Sequence, residues 1–247
     1  MSGSPVVLWD FDYTLGFRGV LADDGARHPW GYCVLEVLDL EEPGHTATLD
    51  TIRAPLHDGF PWHRHAEPHT HLADADSWWR NVEPLFGRAF EAAGLAAERA
   101  IELAGRFRHR FVDVSAWSLY PDSLEVLKEL SEAGWRHAIV SNHVPELEEI
   151  LAGLGLDAFV DHVVCSALTG YEKPHAEAFR AALRLTGSPE RVWMVGDSPI
   201  ADVQGAEAIG IPAIQVRTKR ADGVRRYSPD LAGVIDILRA SGSRRPR

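Results

Sequence analysis

Cysteine is scarce. Cys33 and Cys165 are the only two in 247 residues, and they form no ligand-spaced pair. A disulfide-stapled secreted module and a thiolate zinc site are thereby excluded, and both thiols read as small buried hydrophobes. Positive charge is also in deficit: 25 Lys and Arg against 36 Asp and Glu leave a formal net charge of −11. That is the wrong sign for a nucleic-acid backbone or an anionic membrane surface, so neither is expected as a partner. Long apolar runs are missing as well. The stretch after Met1-Ser2-Gly3-Ser4-Pro5 stops at Asp10 and no basic n-region precedes it, so neither a signal peptide nor a membrane span is read, and a cytoplasmic location is expected. What is present, 45% hydrophobic and 25% charged residues, suits a globular chain of one large or two smaller domains and rules out disorder, collagen and coiled coil.

Val6-Val7-Leu8-Trp9 is an apolar run with two β-branched residues that passes directly into Asp10-Phe11-Asp12-Tyr13-Thr14, the pattern of a buried strand with polar residues at its C-terminal end. From about Leu119 helical and strand patterns alternate. A capping box of Asp122 and Glu125 starts a helix carrying Leu124, Leu127 and Leu130, and Gly134 ends it before the strand His137–Val140. A helix starting at Pro145, the strand Val160–Cys165, a helix over Ala176–Leu185, the strand Val192–Val195, a helix ending near Ile209-Gly210 and the strand Ala213–Val216 follow. This alternation predicts an α/β fold with a doubly wound parallel sheet. Residues from about Phe17 to Ser115 break the rhythm, with two amphipathic helices, Asp76–Ala93 and Ala96–Val112, joined near Gly94. The expected organisation is a catalytic core of residues 1–17 and 116–247 with an inserted α-helical cap domain of residues 18–115, hung over the strand C-termini where open α/β sheets bind ligands. Gly242–Arg247 reads as a frayed basic tail.

Four polar clusters follow predicted strands: Asp10, Asp12 and Thr14; Ser141 and Asn142; Lys173; and Asp197 with Asp202. In a parallel sheet they converge on one edge. Unit charges about 4 Å apart interact by about 4 kcal/mol at an effective dielectric near 20, so clustered carboxylates need a cation. Oxygen ligands without His or thiol at ligand spacing favour Mg²⁺ over zinc, and Mg²⁺ commonly completes its shell with phosphate oxygens.

Asp10-Phe11-Asp12-Tyr13-Thr14 resembles the first motif (DxDxT) of the haloacid dehalogenase-like (HAD) superfamily. Val140-Ser141-Asn142 resembles its second motif, Lys173-Pro174 its third, and Gly196-Asp197 through Asp202 its fourth in the GDxxxxD form, all in the family's order. The insert is similar in place and size to the family's C1 cap. The resemblance implies a Mg²⁺-dependent phosphatase acting on a small phosphomonoester through an aspartyl-phosphate intermediate. Asp10 would be the nucleophile and Asp12 the general acid and base. Ser141 and Lys173 would hold the phosphoryl group, Lys173 also offsetting the charge of Asp10, with Thr14 and Asn142 in support. Asp10, the backbone carbonyl of Asp12 and Asp197 would ligate Mg²⁺, with Asp202 beside them. A 2-haloacid dehalogenase and a phosphotransferase or mutase of the same superfamily are the competing readings. Asp12 argues against the first, because members with that chemistry resemble one another in lacking the second Asp. A monomer or homodimer is expected.

His57, His63, His65, His69 and His71 crowd one segment of the insert. A polar loop with Pro breaks is favoured over a metal site, because no second half of a ligand motif appears. Trp30, Trp62, Trp78 and Trp79 read first as the core of the insert, and alternatively as an aromatic platform over the crevice. The insert is expected to act as a lid hinged near Leu15–Phe17 and Ser115–Ser118, with His63, Arg64, His65 and Trp79 setting specificity.

Overall fold

The computed structural model describes residues 4–19 and 28–242; the basic tail read beyond Gly242 lies outside them. Along the chain come β1 (Val6–Trp9), β2 (Gly16–Arg18), α1 (Pro29–Glu41), α2 (Leu49–Ile52), α3 (Ala75–Ala92), α4 (Ala97–Phe111) and β3 (Trp117–Leu119). Then follow α5 (Ser123–Glu132), β4 (Arg136–Ser141), α6 (Leu147–Gly153), β5 (Val160–Cys165), α7 (Ser166–Thr169) and α8 (Ala176–Leu185). The chain closes with β6 (Val192–Gly196), α9 (Gly205–Ala208), β7 (Ala213–Val216), β8 (Tyr227–Ser228) and α10 (Ala232–Gly242).

All four residues of β1 are buried. A strand apolar on both faces belongs in the middle of a sheet covered on both sides, and β1 lies there, in a parallel sheet of order β5-β4-β1-β6-β7-β8. Side chains alternate across it. Val7, Trp9 and Ile139 face a layer with Leu127 of α5, Leu151 of α6 and Val234 of α10, whereas Val6, Leu8 and Val140 meet Phe179 and Ala182 of α8. The sequence expectation of a doubly wound α/β core is met.

The insert differs from expectation in one element. α3 and α4 match the two amphipathic patterns and turn at Gly94, whose φ of 99° suits glycine, but α1 precedes them and supplies a third buried face with Cys33, Val34 and Leu38. Antiparallel β2 and β3 form a two-stranded ribbon between the insert and the sheet. The guanidinium of Arg18, buried at the end of β2, donates to both carboxylate oxygens of Glu36 on α1 at 3.1 and 2.8 Å and to the carbonyl oxygens of Arg110 and Phe111.

Two local expectations fail. The Asp122 carboxylate caps nothing; it accepts from the Arg217 guanidinium at 2.6 and 3.2 Å and from the Leu231 N–H at 2.9 Å. A charged partner 95 residues away displaces the local cap, as charge-assisted bonds are the stronger ones. The helix expected from Pro145 begins at Leu147, because Glu146 turns inward to the insert.

Candidate active site

Asp10 leaves the C-terminal end of β1 with its N–H donating to Val195 O of β6 at 2.9 Å, just beyond the last residue of β1 paired with both flanking strands. Its side chain is buried, and Oδ1 accepts from Ser141 Oγ at 2.9 Å and from Lys173 Nζ at 2.7 Å. Thr14 Oγ1 approaches Oδ2 at 3.4 Å. Ser141 ends the adjacent β4, which explains why a residue 131 positions later meets Asp10. Asn142 does not reach the Asp10 carboxylate. Its amide clasps the backbone of Lys173 instead, donating to Lys173 O at 2.9 Å and accepting from Lys173 N at 2.7 Å.

Lys173 Nζ donates at 2.6 Å to Asp202 Oδ1 as well. Burial alone would lower the ammonium pKa, but Asp10 and Asp202 overcome it and hold Lys173 protonated, with its pKa raised. Asp202 sits on a π-helical turn, Pro199–Gln204, and its Oδ2 accepts the Ser198 N–H at 2.9 Å. Gly196 is required here, because any Cβ at that position would collide with the Asp202 carboxylate. Burial, with Asp10 and Asp197 adding to it, pushes the Asp202 carboxyl up despite the pull of Lys173.

Oxygens of Asp10, Asp197 and Asp202 converge within 4.8 Å, the one such group of potential metal ligands among the described residues. Three carboxylates and one ammonium leave the cluster with an excess of acidic groups. An all-oxygen, charge-rich donor set of this kind fits a hard divalent cation. The Asp12 carboxylate stands outside the triad; it is half-buried, faces the adjoining cavity and lies 3.7 Å from His143 Nε2.

Among the described residues His65, His69 and His71 do not gather into such a group. The segment folds as successive 3₁₀ turns, and His69 N–H donates to Gly170 O of the core at 2.7 Å. Sequence reasoning missed His143, which is buried between Asp12 and the Phe11 and Trp117 rings and whose pKa burial pushes down to about 4. It also missed Arg217, whose Nε donates to Thr14 O at 3.1 Å while its guanidinium lies over the Tyr120 ring. The φ of 67° at Arg217 is uncommon for a non-glycine residue. Long-range partners of this sort leave no local periodicity to read.

The sheet's C-terminal edge thus gathers a buried carboxylate, a buried lysine and a carboxylate triad. Residues 35–210 match the family described as haloacid dehalogenase-like hydrolase, and the chain belongs to that family. It is 39% identical over 151 residues to the phosphoserine phosphatase of Thermus thermophilus, a match covering 60% of this chain and 59% of that enzyme's length. It is 30% identical over 229 residues to human haloacid dehalogenase-like hydrolase domain-containing protein 3, covering 86% of this chain and 88% of that protein. The fold superposes on the 2-haloacid dehalogenase of Pseudomonas syringae with a TM-score of 0.66 at 21% identity, covering 96% of this chain and 99% of that one.

Proposed function

We propose that the protein is a Mg²⁺-dependent phosphatase that hydrolyses a small phosphomonoester through an aspartyl-phosphate on Asp10. The observation that carries the reading is the pairing of Asp10 with Ser141 and Lys173 on one carboxylate oxygen, beside the carboxylate triad. Both donors bind Oδ1, so Oδ2, approached by Thr14 at 3.4 Å, is the oxygen left to attack phosphorus. Ser141 and Lys173 are placed to take the equatorial phosphoryl oxygens as charge develops. Asp12, outside the triad and facing the cavity, supplies the proton to the leaving oxygen and later removes one from the attacking water. The buried His143 ring lies beside the Asp12 carboxylate, its Nε2 3.7 Å from Oδ2. Asp10, Asp197 and Asp202, with the backbone of Asp12, would hold Mg²⁺, which when bound neutralises phosphate charge and orients the ester.

The relative named as a phosphoserine phosphatase supports phosphate-ester chemistry. Hydrolytic dehalogenation has the fold likeness in its favour and Asp12 against it, since that reaction needs no leaving-group acid. Residues 29–111 are proposed to act as the cap, with the β2–β3 ribbon as its connection. The purified chain is expected to release phosphate from phosphomonoesters with Mg²⁺ and to stop on addition of EDTA. Full activity after metal removal, or chloride release from 2-chloropropionate at a comparable rate, overturns the proposal.

A further inference from the structure

A cavity of about 550 Å³ opens directly beside the site, with Asp12, Asn142 and Lys173 on its floor and Trp30, Trp62 and His65 on its far wall. A volume of this size accepts a ring-bearing ligand; a two- or three-carbon phosphate would leave most of it filled with water. The far wall is aromatic. Trp30 stacks on Phe111 with centroids 4.0 Å apart at 6°, Trp62 stacks on Phe60 at 4.6 Å and 8°, and the two indoles lie 5.7 Å apart. Both Trp side chains remain partly exposed, whereas Trp78 and Trp79 are buried. Of the residues expected to set specificity, His65 lines this cavity with Trp30 and Trp62, whereas Trp79, which donates to Glu146, and His63 and Arg64 are not among its lining residues. On the core side Ile200, 57% exposed, adds apolar surface.

Charge completes the picture. Among the described residues lining the cavity there is no Arg, and Lys173 is committed to Asp10 and Asp202. Asp12 contributes a negative charge. A leaving group carrying its own carboxylate or second phosphate would therefore find, among the described lining residues, no Arg, a Lys already paired, His65 and the like charge of Asp12.

Resting on the phosphatase reading, we infer that the substrate is a phosphomonoester whose leaving group is a planar, uncharged ring system, a nucleoside 5′-monophosphate or an aryl phosphate, stacked against Trp30 and Trp62. The phosphate sits over Asp10 and the ring lies along the indoles. Phosphoserine and phosphoglycolate are then poor substrates, whatever the relatives prefer.

The test compares the full chain with Mg²⁺ on UMP, AMP and phenyl phosphate against O-phosphoserine, 2-phosphoglycolate and glycerol 1-phosphate. Ring-bearing esters are expected to exceed the others in kcat/KM by at least about tenfold, matching the usual strength of one stacked base. A preference for nucleotides over phenyl phosphate points to nucleosides, and equal rates point to aryl esters; both support the inference. Trp62→Ala and Trp30→Ala are expected to lower kcat/KM roughly 5- to 100-fold on the ring-bearing esters through KM, with glycerol 1-phosphate unaltered and Trp62→Phe largely restored. Trp30 also packs on Phe111, so Trp62→Ala decides if Trp30→Ala does not fold. A wild-type preference for phosphoserine or phosphoglycolate, or equal losses on both ester sets in a folded variant, overturns the inference and leaves the phosphatase reading standing. Turnover is separated from binding by titrating Asp10→Asn with UMP and AMP and following Trp fluorescence. Saturable quenching without phosphate release from any ester by the wild type would sink the phosphatase reading and keep the aromatic site; absence of quenching overturns the site whatever the turnover.

Discussion

At the scale of residues, Asp10 owes its position to two donors that an asparagine would also satisfy, since Ser141 and Lys173 both bind Oδ1. Asp10→Asn is therefore expected to stay folded while losing more than about 10³-fold in phosphate release. Its melting temperature should hold or rise, because one member of a crowded carboxylate triad loses its charge. A large fall in melting temperature would show that the charge of Asp10 is structural. His137 makes a second residue-scale case, far from chemistry. Its Nδ1 accepts the Trp9 indole N–H at 3.0 Å and its Nε2 donates to Leu127 O at 3.1 Å, so only the neutral ring satisfies both. Burial pushes its pKa down to about 4 from 6.5. The folded form binds fewer protons than the unfolded chain between those values, so stability from His137 is complete above pH 6.5 and is lost as pH falls toward 4. The shift corresponds to about 3 kcal/mol. Urea unfolding from pH 4 to 7 should show this limb in the wild type and a flatter one in His137→Gln; parallel curves would remove His137 as its cause.

At the scale of elements, a buried carboxylate ties the insert to the core beside the His69–Gly170 backbone bond. Glu146, just before α6, accepts the Trp79 indole N–H of α3 at 3.1 Å on each oxygen and the Arg108 guanidinium of α4 at 2.7 Å. Glu146→Ala orphans a buried indole N–H and frees Arg108, a loss of about 1–3 kcal/mol. Amide exchange should quicken in α3 and α4 and stay unchanged in β1 and β4; uniform quickening would mean that insert and sheet open together. Legibility divides along the same line. Buried strands announce themselves as short apolar runs, and α8 and β5 fall at the expected residues, while Asp10, Ser141, Lys173 and Asp202 meet in one hydrogen-bonded cluster. β2 and β3, of three residues each, are too short to show a period, and α1 buries residues without a strongly one-sided pattern. Asp122 carried a cap signal and Pro145 a helix-start signal, and the bonds that Asp122 and Glu146 make to distant arginines outweighed them. Helical spacing identified Trp79 as facing something, but not that it faced Glu146 and not the cavity.

At the scale of the whole molecule, the excess charge of the triad couples stability to a cation. A ligand that binds only the folded chain raises stability with its concentration. Mg²⁺ is expected to raise the melting temperature of the wild type in a dose-dependent way and to leave Asp197→Asn nearly unmoved; equal shifts in both would place the ion elsewhere. The sheet order carries a consequence for synthesis. β1 lies between β4 and β6, so residues made at position 6 pair with residues 136 and 192. During translation the run Val6–Trp9 leaves the ribosome with both hydrogen-bonding edges open, and it waits for more than half the chain before its first neighbour exists. The insert, whose contacts are mostly local, is free to fold in that interval. The ribosome-bound chain thus passes through a stage in which its insert is free to form while Asp10 still follows an unpaired sticky strand, so ribosome-bound chains stalled before β4 should recruit hold-type chaperones and those stalled beyond β7 should not.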